Sequence, residues 1–201
     1  MNTLLILYPK EFKAYSKFER KLSKITSRMS DFQLLTPNDF NGFVKRFSSH
    51  NAITSSILED YNWESHHPTH AIIFDDGEEF VEEVELLKNK KIPLREIRIL
   101  ITRVVNIKTD KEFNGQVDTP SYSYIGRGSY WGNPYSIHEE NHSREEVIRK
   151  FKYDFDFEKF PNKEKKEVFK LAGKRLGCFC KPEACHGDVL ADYLNAWDDG
   201  K

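Results

Sequence analysis

Apolar residues recur along the first hundred positions in two alternating rhythms. Leu4, Leu5, Ile6 and Leu7 form an unbroken run that Pro9 ends, the pattern of a strand buried on both faces. Over 12–25, Tyr15, Phe18, Leu22 and Ile25 return every three or four residues, which predicts an amphipathic helix. A short strand is expected over 32–35, before the turn or helix start offered by Thr36, Pro37, Asn38 and Asp39. Phe43, Phe47, Ile53, Ile57 and Leu58 carry a helical spacing over 43–61. Ala71, Ile72, Ile73 and Phe74 make a second buried strand, closed by Asp75, Asp76 and Gly77. An amphipathic helix over 80–90 and a β-rich run over 97–105 follow. Such alternation builds a parallel sheet with crossover helices.

The rhythm then changes. The stretch 108–121 is polar and reads as a loop, 122–125 as a strand, and 126–134 as a loop rich in glycine and aromatics. Ser143 followed by Glu146 is a capping box, opening a helix to about residue 153. The alternation of Tyr153, Phe155 and Phe157 suits a strand equally, so both readings stay open there. Asn162 is placed to cap a helix over 163–172 that Gly173 ends. A short strand over 176–180, a break at Pro182 and a closing helix over 185–197 complete the pattern. The expected class is α/β with two small domains. The first, 1–102, is Rossmann-like with a mostly parallel sheet; the second, 103–201, is a smaller α/β unit.

Composition narrows the function. An apolar fraction of 38% and an aromatic fraction of 13% supply packed cores and exclude a disordered chain. The 31 Lys and Arg against 32 Asp and Glu leave a net charge of −1. Nucleic acid is therefore not favoured as a partner by bulk charge, although a local basic groove stays compatible with the total. No apolar run reaches the roughly 20 residues that cross a bilayer. The first residues lack the basic flank and cleavage site of a secretory signal. A cytoplasmic protein without a membrane partner is expected. His66, His67 and His70, beside Pro68, read as an exposed turn, and the acidic stretch 78–85 as a solvated helix face. Asp75 and Asp76 suit either a solvated strand end or a contact to ribose or metal.

The three cysteines, Cys178, Cys180 and Cys185, lie within eight residues, a poor framework for disulfides. Three readings are open. With His186 they form a complete tetrahedral donor set for zinc, although Cys-x-Cys is tighter than the usual knuckle and adjacent Cys185 and His186 do not easily face one ion. Alternatively, Cys185 at the start of the last helix is a low-pKa nucleophile, with His186 and Asp188 as acid–base partners. The third reading is plain packing of small buried thiols, favoured for Cys178 alone. The loop 126–134 offers a second constellation. Arg127 suits a phosphate or carboxylate, and Gly126 and Gly128 let backbone N–H groups of the loop, Ser129 included, approach an anion. Tyr130 or Trp131 can stack on a base, and Asn133 can read a base or ribose edge. The loop lacks the Lys-Ser/Thr ending of a Walker loop. The same residues also suit a tight turn with Trp131 in the core.

The ordered set Val104-Val105-Asn106, Tyr124-Ile125-Gly126-Arg127-Gly128, Trp131-Gly132-Asn133-Pro134, Leu176-Gly177-Cys178-Phe179-Cys180-Lys181-Pro182 and Cys185-His186-Gly187-Asp188 resembles the family called domain of unknown function 4326, found in bacteria and phages. Phe179 stands where that family usually has Trp. The resemblance implies an α/β domain with a site but names no reaction. Tyr124, Cys180, Lys181 and Gly187, which stand in its motifs, join Gly126, Arg127, Gly128, Ser129, Trp131 and Asn133 as the expected ligand-binding set. The first half, chiefly through residues 71–77 and Lys91-Ile92-Pro93, more distantly resembles the SLOG superfamily, Rossmann-like domains that bind nucleotides or their derivatives. Its glycine-rich phosphate loops are missing here: Tyr8-Pro9-Lys10 follows the first strand, and the chain contains no Gly-Gly pair. The expected ligand is nucleotide-like, bound by an enzyme acting at a glycosidic or phosphate-linked bond, by a sequestering or host-protein-binding module, or by a zinc-stabilised interaction domain.

Overall fold

The computed structural model describes residues 2–51, 54–113, 117–137 and 142–201. Two compact units divide the chain: one runs to Ile99 and takes in Ala196–Lys201, and the other is Leu100–Asn195.

The first unit runs through β1 (Asn2–Leu7), α1 (Tyr15–Thr26), β2 (Phe32–Thr36), α2 (Phe43–His50), β3 (Thr54–Glu59), β4 (His70–Asp75), α3 (Val81–Asn89) and β5 (Leu94–Arg98), with a 3-10 turn, Trp63–His66, in place of a helix between β3 and β4. All strand pairs are parallel, in the order β3-β2-β1-β4-β5. The apolar run Leu4 to Leu7 lies on the central strand and is fully buried, as its lack of polar alternation requires. Phe18 and Leu22 carry the buried face of α1.

In a sheet of this order the ligand crevice lies where the strand order reverses, outside the carboxyl ends of β1 and β4. Here aromatic rings fill that place. Phe12 stacks on Phe74 at 5.1 Å and Tyr8 on Phe43 at 5.4 Å, all four buried. The Tyr8 hydroxyl donates to Asp39 at 2.6 Å, and the Asp39 carboxylate accepts from the backbone N–H groups of Val44 and Lys45, capping α2. The missing glycine loop thus has a counterpart in packing.

Two expectations change in this half. The helix expected over 43–61 stops at His50, where Asn51 turns extended and its side chain donates back to the Phe47 carbonyl. The β-branched stretch around Thr54 and Ile57 then pairs with β2 as an edge strand. The single run expected over 97–105 is two strands of different sheets, β5 and the strand Arg103–Asn106 of the second unit.

The second unit holds β6 (Arg103–Asn106), β7 (Tyr122–Tyr124), α4 (Arg144–Asp156), β8 (Arg175–Cys178) and α5 (His186–Asn195). Its parallel sheet has the order β6-β8-β7, with β8 central. Gly177 on β8 is required: a Cβ there would lie 2.1 Å from the Tyr122 hydroxyl, because that ring crosses the bare backbone. The capping box on α4 forms as expected, Glu146 N–H donating to Ser143 and Ser143 N–H to Glu146. The open question over 153–157 resolves as helix to Asp156, with Phe151 and Phe155 buried one turn apart and Tyr153 and Phe157 outside. The helix expected over 163–172 is instead a 3-10 run, Lys165–Leu171, which Asn162 does not cap. Its buried residues, Val168 and Leu171, sit three apart and match the tighter period.

Candidate functional site

The three strands of the second unit end together. Asn106 closes β6, Tyr124 closes β7, and Cys178 closes β8, with Asn106 paired to Cys178 and Tyr124 to Gly177 one residue earlier. The loops that leave these ends carry nearly every residue singled out in the sequence, at the strand edge where α/β sheets place ligands.

A cleft of about 420 Å³ opens there. Cys178, Cys180, Cys185 and His186 line one side; Gly126, Arg127 and Asn133 belong to the glycine loop, and Arg144, Val147 and Ile148 to the first turns of α4. The three sulfurs all lie within 4.8 Å of one another, with Cys178 and Cys180 at 3.5 Å. Three thiolates bonded to one zinc at ~2.3 Å would stand about 3.8 Å apart, so the set is close to metal-binding geometry as it stands. His186 borders this group through Cys185, its Nδ1 3.6 Å from Sγ. His186 Nε2 lies 2.9 Å from the Ile125 carbonyl oxygen, a contact only an N–H can make, so the lone pair is assigned to Nδ1.

The sulfurs differ in charge and access. Hydrogen bonds donated by Cys178 and then Cys185 pull the Cys180 thiol far below its usual range, with Arg144 adding to the effect. The contact with Cys180 pushes Cys178 up, against a lowering contact with Cys185, and contacts with Cys178 and Cys180, followed by burial, push Cys185 up. Cys185 is 1% exposed, while Cys180 is half-buried and faces the cleft. Burial lowers the pKa of His186, favouring the neutral ring.

The structure separates the expected site into parts. Cys185 and His186 stand together at the start of α5. Asp188 caps that helix, accepting from the Cys185 N–H at 2.9 Å, pairs with Lys181 at 2.6 Å, and lines with Val189 and Asp192 a groove that shares Ile148, Ala184 and Cys185 with the cleft. Gly187 is packed under the sheet, 2.4 Å from Ile125 Cδ1 measured from an ideal Cβ. Asn133 holds the loop to α4, donating to the Val147 carbonyl and accepting from Tyr135 N–H. Tyr124, Gly128, Ser129, Tyr130 and Trp131 face a second cleft of about 660 Å³, shared with Asp118, Glu167, Lys170 and Lys174. Arg127 lines both clefts and makes no ion pair among the described residues. Trp131 is buried edge-on against Phe155, and Tyr130, half exposed, accepts from the Glu164 N–H.

Two further residues at the site were given no role in the sequence reading. Arg144, the first residue of α4, donates to the Ala184 carbonyl at 3.3 Å and bonds Cys180. Only its place after the capping Ser143 marked it as sited at a helix start. Asn106 donates to the Lys181 carbonyl and accepts from Lys108 N–H, pinning the loop that carries Cys180. A polar amide at the end of an apolar strand was its signal. Elsewhere His66 pairs with Asp60, and Asp75 with Arg98 and the Gly77 N–H.

A Rossmann-like parallel sheet joined to a small parallel α/β unit with a cysteine-lined cleft defines the class of this molecule. The chain belongs to the family of the Minimal SLOG domain through residues 1–105, and residues 105–196 are a Domain of unknown function (DUF4326). It is 39% identical over 98 residues to an uncharacterized 12.4 kDa protein in the nrdA-td intergenic region of Enterobacteria phage T4, covering 47% of this chain and 79% of the phage protein. No solved structure matches the chain. Membership in the SLOG family points, at a coarse level, to nucleotide-related binding. Among the described residues, no helix is long and apolar enough to cross a membrane.

Proposed function

We propose that this chain binds a nucleotide or nucleotide derivative in the cysteine-lined cleft of its second unit, with zinc held by Cys178, Cys180 and Cys185 as the cleft floor. The observation that carries the reading is convergence. Two arginines, Arg127 and Arg144, and three clustered sulfurs share one cleft whose remaining walls include Ile137, Val147, Ile148 and Phe179. Apolar walls with a few convergent polar groups are the usual form of a small-molecule site. Arg127, without an ion pair among the described residues, supplies a bidentate contact for phosphate. Zinc, held by Cys178, Cys180 and Cys185, would supply a Lewis acid, and three protein ligands are one fewer than zinc's usual four. His186 Nδ1 beside Cys185 would hold a proton in any reaction at a glycosidic or phosphate-linked bond.

The test is calorimetric titration of nucleotides and nucleotide sugars into zinc-replete protein. Saturable binding that weakens about tenfold in both Arg127→Ala and Arg144→Ala is expected, on the scale of one lost charge-assisted contact. Binding that ignores both substitutions, or no binding at millimolar nucleotide, would refute the reading. A zinc-stabilised interaction domain is the second reading, favoured by the sulfur cluster alone; it predicts zinc without nucleotide affinity.

A further inference from the structure

The first unit carries a strongly charged feature that the chain-wide charge balance hides. A groove of about 810 Å³ runs between α1 and the edge strand β5. Lys17, Lys21 and Lys24 stand one turn apart on α1, Arg28 continues the row, and Arg95, Arg98 and Lys201 complete the cationic lining. The only side-chain carboxylates among the lining residues are those of Glu96 and Asp199. Glu96 pairs with Lys88, outside the groove, at 2.9 Å. Lys21, Lys24, Arg28, Arg95 and Lys201 make no ion pair among the described residues. Like charges massed without internal partners repel one another, and a bound polyanion relieves that repulsion.

Two acidic residues of the tail sit on the row's inner end. Asp199 pairs with Lys17 at 2.9 Å, and Asp198 with Arg20 at 2.7 Å. These carboxylates occupy positions where an external anion would bind. The row spans about 10 Å from Lys17 to Lys24 at 1.5 Å per residue, longer than one phosphate fills and suited to a repeating one. Its apolar lining is limited to Ile25, half-buried, and Ile97, buried, so nothing in it inserts into a bilayer. No aromatic ring lines it to stack on bases.

We propose that this groove holds the sugar–phosphate backbone of a single-stranded nucleic acid without sequence preference, and that the Asp198–Asp199 tail competes for its inner end. This surface is separate from the nucleotide cleft. The test is fluorescence anisotropy of the full chain with labelled oligothymidylate and oligouridylate of about twenty nucleotides, between 50 and 200 mM salt. Both oligomers should bind alike. The slope of log K against log salt should be roughly −3 to −4 for five neutralised phosphates at about −0.7 each. The triple variant Lys24→Glu/Arg28→Glu/Arg95→Glu, all at exposed positions, should lose at least about tenfold in affinity, and Arg28→Ala alone about threefold. Asp198→Asn/Asp199→Asn should bind more tightly, and Lys159→Ala, at an exposed position outside the groove, should match the unaltered chain. Circular dichroism checks that each variant is folded. No binding at 50 mM salt, or full affinity in the folded Arg28→Ala and triple variants, overturns the proposal. Binding to phosphatidylserine vesicles without oligonucleotide binding overturns it in favour of a lipid surface.

Discussion

Three sulfurs within 4.8 Å of one another settle their repulsion by sharing protons or by sharing a cation. The hydrogen-bonded state favours negative charge on Cys180 over its neighbours; a metal would replace the protons the cluster holds. Other residues of the site are set by space. Alanine is intrinsically better than glycine in a helix by about 1 kcal/mol, which argues for Gly187→Ala as a stabilising change. Against it, the new Cβ would meet Ile125 Cδ1 at 2.4 Å and Val104 Cγ2 at 3.1 Å, and Ile125 is fully buried. Overpacking costs about 1–3 kcal/mol, so the clash wins and chemical denaturation should show a net loss near 1 kcal/mol. Tyr135 gives a pH dependence. Its hydrogen bond to Asp154, with burial adding, pushes the phenol up to about 12 from 10.0. Because the folded value is raised, the contact's stability is whole below pH 10 and lost as pH rises through about 12. Tyr135→Phe should cost about 1 kcal/mol at neutral pH and flatten the alkaline loss, read by urea unfolding near pH 7 and near pH 11.

At the scale of elements, local rules were legible wherever the chain supplied its own partners. The α4 capping box is contained in Ser143-Arg144-Glu145-Glu146, and the structure forms it. Ser143→Ala should therefore lower stability by about 1 kcal/mol, measured on the thermal transition, with a helix still present by circular dichroism. Legibility failed where a distant partner decided the outcome. Ile57 and Leu58 fit a helical spacing after Phe47, yet pairing with Leu34 and Leu35 makes them strand. The helix expected over 163–172 forms as a 3-10 run, Lys165–Leu171, whose N-cap is Glu164 with its N–H given to the hydroxyl of distant Tyr130, a contact no local pattern shows. The motifs around Cys178 and Arg127 were visible because glycine, cysteine and arginine are rare enough to stand out. Their division between two clefts was not, since which way a loop residue faces depends on α4 and on the 3-10 run packed beside it.

The whole molecule joins a Rossmann-like unit whose crevice is packed with its own aromatic rings to a second unit whose strand ends stay open. Tyr8, Phe12, Phe43 and Phe74 occupy the place where a related fold would take a ligand. Chemistry-bearing residues gather instead at the carboxyl ends of β6, β7 and β8, in the unit matched by the domain of unknown function. That contrast could be anticipated in part, from the absent glycine loop after β1 and the late cysteines. It could not be completed from sequence, because closure of the first crevice depends on rings spread from Tyr8 to Phe74. The central claim is that the three sulfurs form the metal-bearing floor of a ligand cleft. Its most direct test is the zinc content of protein purified without chelator, by plasma mass spectrometry, with thiols titrated in the same sample and Cys180→Ser prepared in parallel. About one zinc per chain with protected thiols, lost on substitution of Cys180, is predicted. A metal-free chain with a fast-reacting thiol would contradict it and make the cluster a nucleophile.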